Sequence, residues 1–289
     1  MKNIMKGKHY SETKEKSESY TQNIKNLQLS PVHNIMGHLI AKQHKHRFFN
    51  NNFIHQRQRR TLIQDKISKL CMMLEYSCVT YYHAIGLFDA FMSLFYTGET
   101  FIDNVFVVCL IIASKFKESF GKVLDSEAFQ DIQQTMDPLL FVTIERNILI
   151  AMEFNVHLIT PFDFINLFLQ IEETYECFKK NNIQKLKSKM INKIQKLLFM
   201  SSLDYEINKF TSLTVACSVI IIARKIMGLS VLWPPKLVQF TGFQETDLKA
   251  CKEFIVLNCI TKNADEFISH EINHSNKTSS SNSQCANDC

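Results

Sequence analysis

Two stretches of this sequence nearly repeat each other. Val108-Cys-Leu-Ile-Ile-Ala-Ser-Lys115 aligns without a gap on Ser218-Val-Ile-Ile-Ile-Ala-Arg-Lys225, at an offset of 110 residues. Each is an apolar run closed by a cation, and each is followed by a short polar stretch and then a further amphipathic segment. A helix that is apolar on every side has to be surrounded by other helices. A repeat of about 110 residues is too long for a solenoid unit. It suits two similar helical domains joined near Thr160.

Turn-forming residues are scarce. The chain of 289 residues has 7 Gly and 5 Pro, about 4% together against a usual share of roughly 12%. Sandwiches, barrels and nucleotide-binding sheets need Gly- and Pro-rich turns and loops, so they are excluded. What remains is an all-α chain.

The helices can be placed from their faces and caps. Tyr81, Ala84, Ile85, Phe88, Met92 and Phe95 fall on one helical face. Asp137-Pro138 sets a capping side chain before a proline at the first helical position. Thr160-Pro161 does the same, with Asp163 completing a capping-box pair. Further helices are expected at about 184–203, 211–227 and 245–258, with a short element between Trp233-Pro234-Pro235 and Thr241-Gly242. Ile35, Met36, Leu39 and Ile40 fit one short helix within a basic leader. The expected organisation is a leader over 1–56, a first bundle over 57–159, a second over 160–260, and a loose Ser/Asn-rich tail over 261–289.

Charge and cysteine usage set the surroundings. Residues 1–60 carry 12 Lys/Arg and 3 Asp/Glu, whereas the remainder carries 21 and 25. A basic arm ahead of a mildly acidic body can touch nucleic acid or an acidic partner, but a solvated, partly disordered leader is the preferred reading. The nine cysteines form no C-x-x-C and sit mostly in apolar runs, as reduced buried thiols do. The start lacks the apolar core of a signal peptide, and the longest apolar run, Val105 to Ala113, is half a membrane span. A soluble protein of the nucleus and cytoplasm is expected, with no membrane association.

Catalysis has no foothold in the motifs. Phosphate-binding glycine loops, G-x-S-x-G, H-E-x-x-H and the kinase signatures are all missing. His44-Lys-His46 and the His33/His38 pair have no Cys or carboxylate neighbours to make a metal site. The expectation is an interaction protein without cofactor, metal or small-molecule ligand.

A family resemblance runs through both halves. Arg60-Thr-Leu-Ile-Gln-Asp65, Ala84-Ile-Gly-Leu-Phe-Asp-Ala-Phe-Met-Ser93 and Ile111-Ile-Ala-Ser-Lys-Phe-Lys-Glu118 resemble the cyclin box. Ile144-Glu-Arg-Asn-Ile-Leu149, Met152-Glu-Phe-Asn-Val156 and Thr160-Pro161-Phe-Asp-Phe164 continue it in order. Phe210 to Cys217, Ala223-Arg-Lys225, Trp233, Thr241-Gly-Phe243 and Asp247 to Cys251 look like a second box. The likeness covers residues 57 to 260 and favours the two-box cyclins of the cell cycle.

What the resemblance implies is a fold of two five-helix bundles and a non-catalytic subunit that activates a cyclin-dependent Ser/Thr kinase. The family's paired Lys and Glu fall on Lys115 and Glu145, and its apolar kinase contacts on Ile112, Phe116, Leu149 and Val156. Taken alone, Lys115 is also simply a cation at the negative end of its helix. The resemblance further implies a buried pair of Arg60 with Asp65, and a missing ion pair where Asp89-Ala90 replaces the usual Asp-Arg. The family's usual pair of acids after Lys115-Phe116 is here Lys117-Glu118. The family's docking groove for R-x-L peptides maps to Arg59, Leu62, Ile63 and Lys66, with Lys69 where an acid is expected. With three cations and no aromatic floor, that groove is expected to refuse R-x-L peptides; it prefers an acidic one if it docks peptides at all, and is otherwise a solvated helix face. Two rivals remain: a nucleic-acid-binding factor of the same fold, not expected without a zinc ribbon, and a helical scaffold that has lost its kinase.

Overall fold

The computed structural model describes residues 31–43, 57–95, 101–119, 136–170 and 183–257. The leader before residue 31 and the tail after residue 257 lie outside them. Among the described residues every regular element is helical. In chain order these are α1 (Pro31–Gln43), α2 (Arg57–Met73), α3 (Cys78–Leu94), α4 (Ile102–Lys117) and α5 (Pro138–Ala151). Then come α6 (Pro161–Phe168), α7 (Ile183–Ser202), α8 (Ser212–Ile226), α9 (Pro235–Thr241) and α10 (Lys249–Ile255). Short 3₁₀ turns at Tyr205–Lys209 and Glu245–Leu248 precede α8 and α10. The all-α expectation holds.

Local chemistry accounts for the helix ends. The Asp137 carboxylate accepts from the Leu139 N–H ahead of α5. One carboxylate oxygen of Asp163 accepts from both the backbone N–H and the hydroxyl of Thr160, each at 2.7 Å, and starts α6. Pro235 opens α9, and Gly242 closes it in the left-handed region at φ +71°. Helix α3 is capped twice: Ser77 accepts from the Thr80 N–H, and Glu118 accepts from the Ser77 N–H at 2.7 Å. Glu118 arrives from the end of α4, so the cap also clamps α4 to α3.

Helices α4 and α8 are the two repeats, and both are central. Val108, Cys109, Ala113 and Ser114 are fully buried in α4, as are Cys217, Val219, Ile220 and Ala223 in α8. Helix α3 is buried almost all round (Thr80 to Ile85 and Leu87 to Met92), more than the one-sided face read from its spacing. The described free cysteines at 71, 109, 217 and 251 are buried, and Cys78 is exposed. Among the described residues no helix is long and apolar enough to cross a membrane.

The two halves share a joint. Arg60 of α2 forks onto Asp89 of α3, with one arm at 2.9 Å, and its Nε donates to the Ser202 carbonyl at 3.0 Å. Asn208 donates to the same Asp89 carboxylate at 2.8 Å, and the Tyr205 ring lies 5.6 Å from the guanidinium. Gln64 donates to the Ser202 carbonyl as well. This corrects the expected Arg60–Asp65 pair. Asp65 is on the opposite, exposed face of α2 and pairs with Lys69 at 2.7 Å. It also fills the ion pair expected to be missing at Asp89, which takes Arg60 instead. A side cleft of about 120 Å³ runs along this joint, lined in part by Gly86, Thr160 and Ser201.

Candidate functional site

The end of α4 and the outer face of α5 meet at a charged and apolar surface. Lys115, in the last turn of α4, reaches Glu145 of α5 at 2.9 Å. The pair stays open to solvent, at 48% and 22% side-chain exposure. The Lys115 ammonium also lies 5.8 Å from the Phe141 ring centre. Phe116 follows it and is 46% exposed.

Helix α5 supplies the rest. Ile144 and Ile148 point into the core, while Leu139, Val142 and Ile150 form an exposed apolar stripe on the other side. Beyond the helix, Glu153 and Phe154 both take left-handed backbone conformations, at φ +50° and +57°. A non-glycine residue held there stores roughly 1–3 kcal/mol of strain. The turn presents Phe154, the most exposed aromatic of this surface at 70%.

The expected apolar contacts therefore divide. Phe116 is exposed, and Leu149 and Val156 are half-buried. Ile112 is not available: it is 5% exposed and belongs to the core under α4. Leu139, Val142, Ile150 and Phe154 escaped the sequence reading. Their signal was present, because α5 has more apolar residues than one buried stripe needs.

Phe116 is flanked by histidines. The His83 ring stacks on it at 5.4 Å between centres, and the His157 ring lies at the same distance at an angle of 48°. His83 is fully buried, and neither ring nitrogen makes a well-formed hydrogen bond. Burial pushes its pKa down to about 3, with the Lys117 charge acting in the same direction and the Val156 backbone against it.

The docking patch on α2 is less cationic than its letters suggest. Lys66 pairs with Asp103 of α4 at 3.0 Å, and Lys69 pairs with Asp65. Leu62 is exposed, whereas Ile63 is buried at 4% and cannot line a groove. The Arg59 side chain lies outside the described residues. Lys66 and Lys69 thus each have a neighbouring acid in an exposed, screened pair. Among the described residues no His, Cys, Asp and Glu group could hold a metal.

With this geometry in view, the family can be fixed. The N-terminal cyclin domain family matches residues 32–157 and the C-terminal cyclin domain family matches residues 159–287. The chain belongs to the cyclin family. Among curated relatives, putative cyclin-A3-1 of Arabidopsis thaliana is 28% identical over 177 residues, 61% of this chain and 48% of its own length. Cyclin-A3-3 of the same plant is 28% identical over 200 residues, covering 68% and 58%. Cyclin-J of Xenopus laevis is 25% identical over 219 residues, covering 72% and 56%. The chain spans about half the length of these curated relatives. Of solved structures, a viral cyclin from herpesvirus saimiri superposes with a TM-score of 0.57 at 12% identity, covering 78% of this chain and 97% of its own. The yeast RNA Pol II CTD kinase CTDK-1 complex gives 0.50 at 15% identity, covering 82% and 74%. At those identities the likeness is one of fold. The two-box reading and the all-α class both hold.

Proposed function

We propose that this cyclin binds and activates a cyclin-dependent Ser/Thr kinase as its non-catalytic subunit, in cell-cycle control within the nucleus and cytoplasm. The observation that carries the reading is the exposed apolar surface of Phe116, Leu139, Val142, Ile150 and Phe154 around the Lys115–Glu145 pair. An apolar cluster flanked by charges and left open on a folded chain marks a binding surface. The yeast structure of similar fold, a kinase complex, supports a partner of that kind. The mechanism is mechanical. Lys115 and Glu145 bond backbone groups flanking the kinase's C-helix, and the apolar side chains hold that helix inward. The Lys–Glu pair inside the kinase then forms, and its activation loop is released.

Lys115→Ala with Glu145→Ala tests this directly. Neither side chain belongs to the core, so the double variant stays folded while kinase binding falls by roughly 2–5 kcal/mol. Wild-type affinity and activation in that variant would sink the assignment.

A nucleic-acid-binding cyclin fold is the second reading, favoured by α7. That helix carries Lys185, Lys187, Lys189, Lys193 and Lys196 with no acid of its own. Its mark would be a duplex affinity that falls steeply with salt.

A further inference from the structure

Beside the proposed kinase surface, three elements bring two lysines and a histidine together. Helix α1 supplies Lys42, whose ammonium donates to Nδ1 of His157 at 3.3 Å. The connection between α5 and α6 supplies His157 itself. The end of α4 supplies Lys117, whose ammonium lies 5.0 Å from the centre of the Phe116 ring that His157 also touches. His38 of α1 adds its influence from the exposed side. Of the charges acting on His157 the one carboxylate is that of Asp163 on α6, and it already accepts both Thr160 hydrogen bonds.

His157 registers this excess. Its pKa lies below the ordinary histidine value, first through partial burial, then through the charges of Lys117 and Lys42 and a smaller effect of His38, with Asp163 working the other way. The ring is held neutral and accepts from Lys42. Two lysine ammonium groups and a neutral imidazole therefore face a half-open aromatic wall.

We propose that Lys42, Lys117 and His157 form a receptor for a phosphorylated side chain of the kinase that docks on the adjoining surface. The identity of the occupant rests on the kinase reading above; the anion site itself rests on the geometry. A phosphomonoester carries about −1.5 to −2 charges at neutral pH, which matches two lysines and favours proton uptake by His157. A single carboxylate would leave one cation unmatched. Continuity with the binding surface is direct, since Phe116 and Lys117 follow Lys115 in one helical turn.

Histidine-selective NMR on the full chain reads the site, with inorganic phosphate as the probe. Phosphate should raise the His157 midpoint by about 1 pH unit and saturate, and Lys42→Met and Lys117→Met should each abolish the rise. A phosphothreonine peptide should reproduce it, and the same peptide with glutamate should not. An equal rise in sodium chloride of matched ionic strength, persistence in both lysine variants, or an equal response to the glutamate peptide would overturn the proposal. The Lys115→Ala/Glu145→Ala variant should keep the phosphate response while losing kinase. A chain that answers phosphate but never holds a kinase would fail the kinase reading and spare the anion site.

Discussion

Helices α4 and α8 have nearly the same letters and the same central position, yet their last turns do different things. In α4 the small Ser114 is buried and bonds its own helix at Ile111, so Lys115 and Phe116 turn outward. In α8 the corresponding residue is Arg224, which is fully buried and donates through Nε and a terminal nitrogen to the Val231 carbonyl, at 2.9 and 2.8 Å. One helix end is spent on a surface, the other on fastening the loop that leads to Trp233. The partner differs too. Glu145 stands on α5 to meet Lys115, whereas the same offset in the second box falls on Ile255, a buried apolar residue of α10. A repeat of the scaffold has been kept without a repeat of the site.

The largest test of this contrast removes what holds the boxes together. Arg60→Ala strands the Asp89 carboxylate in the joint, and breaking a buried pair in this way costs about 3–5 kcal/mol. Denaturant unfolding should show that loss, and a change below about 1 kcal/mol would mean the joint is not a buried ion pair.

Next in size is the comparison of the two cations themselves. Arg224→Met should cost about 1.5–3 kcal/mol, the worth of hydrogen bonds from a charged donor. Lys115→Ala should cost under about 1 kcal/mol, because its pair is exposed and screened. Thermal unfolding of the two variants side by side decides it, and equal losses would erase the distinction drawn between the helix ends.

A pH series sharpens the picture of the first box alone. The unfolded chain binds a proton at His83 near pH 6.5, while the folded one resists it until about pH 3. Stability contributed by neutral His83 is therefore present above about 6.5 and lost as pH falls, at about 1.4 kcal/mol per pH unit. Between pH 6.5 and 5 the wild type should lose about 2 kcal/mol more than His83→Phe. Parallel pH profiles for the two would refute the burial of a neutral ring.

The smallest expected effect is a gain. A Cβ added at Gly86, inside α3, would meet Leu158 Cδ1 at 3.6 Å and Thr160 Cγ2 at 3.8 Å, both ordinary contacts. Gly86→Ala should therefore stabilise by about 0.5–1 kcal/mol. A lower melting temperature would show that the cleft at the joint cannot take the methyl group.

Most of the fold was legible because helices announce themselves locally. Asp137-Pro138, Thr160 to Asp163 and Pro235 to Gly242 each fix a boundary within a few residues, and each boundary stands where its cap chemistry put it. Long-range polar pairing was not legible. The sequence offers Asp65 as the acid for Arg60, and only packing reveals that Asp65 faces water while Arg60 takes Asp89. Ile112 and Ile63 failed as surface residues for the same reason: a hydrophobic letter within a helix does not say which way it points. Lys115, Glu145 and Phe116 did come together, whereas the stripe on α5 emerged only from the buried Ile144 and Ile148 that define its opposite face.

Helix α1 carries a consequence for how the protein is made. Its last residue, Gln43, accepts from the Leu213 N–H at the start of α8, 170 positions later in the chain. Lys42 reaches His157, and α1 packs on α6. The helix is therefore among the first described segments to be synthesised, but its seat is not ready until the second box has been translated. At 5–20 residues per second the ribosome needs roughly 10–30 s to get there. Met36 and Ile40, which end with 0% and 2% exposure, are buried on the same helix. The bond between Gln43 and Leu213 can therefore form only after α8 has been made, which sets the final docking of α1 late in folding.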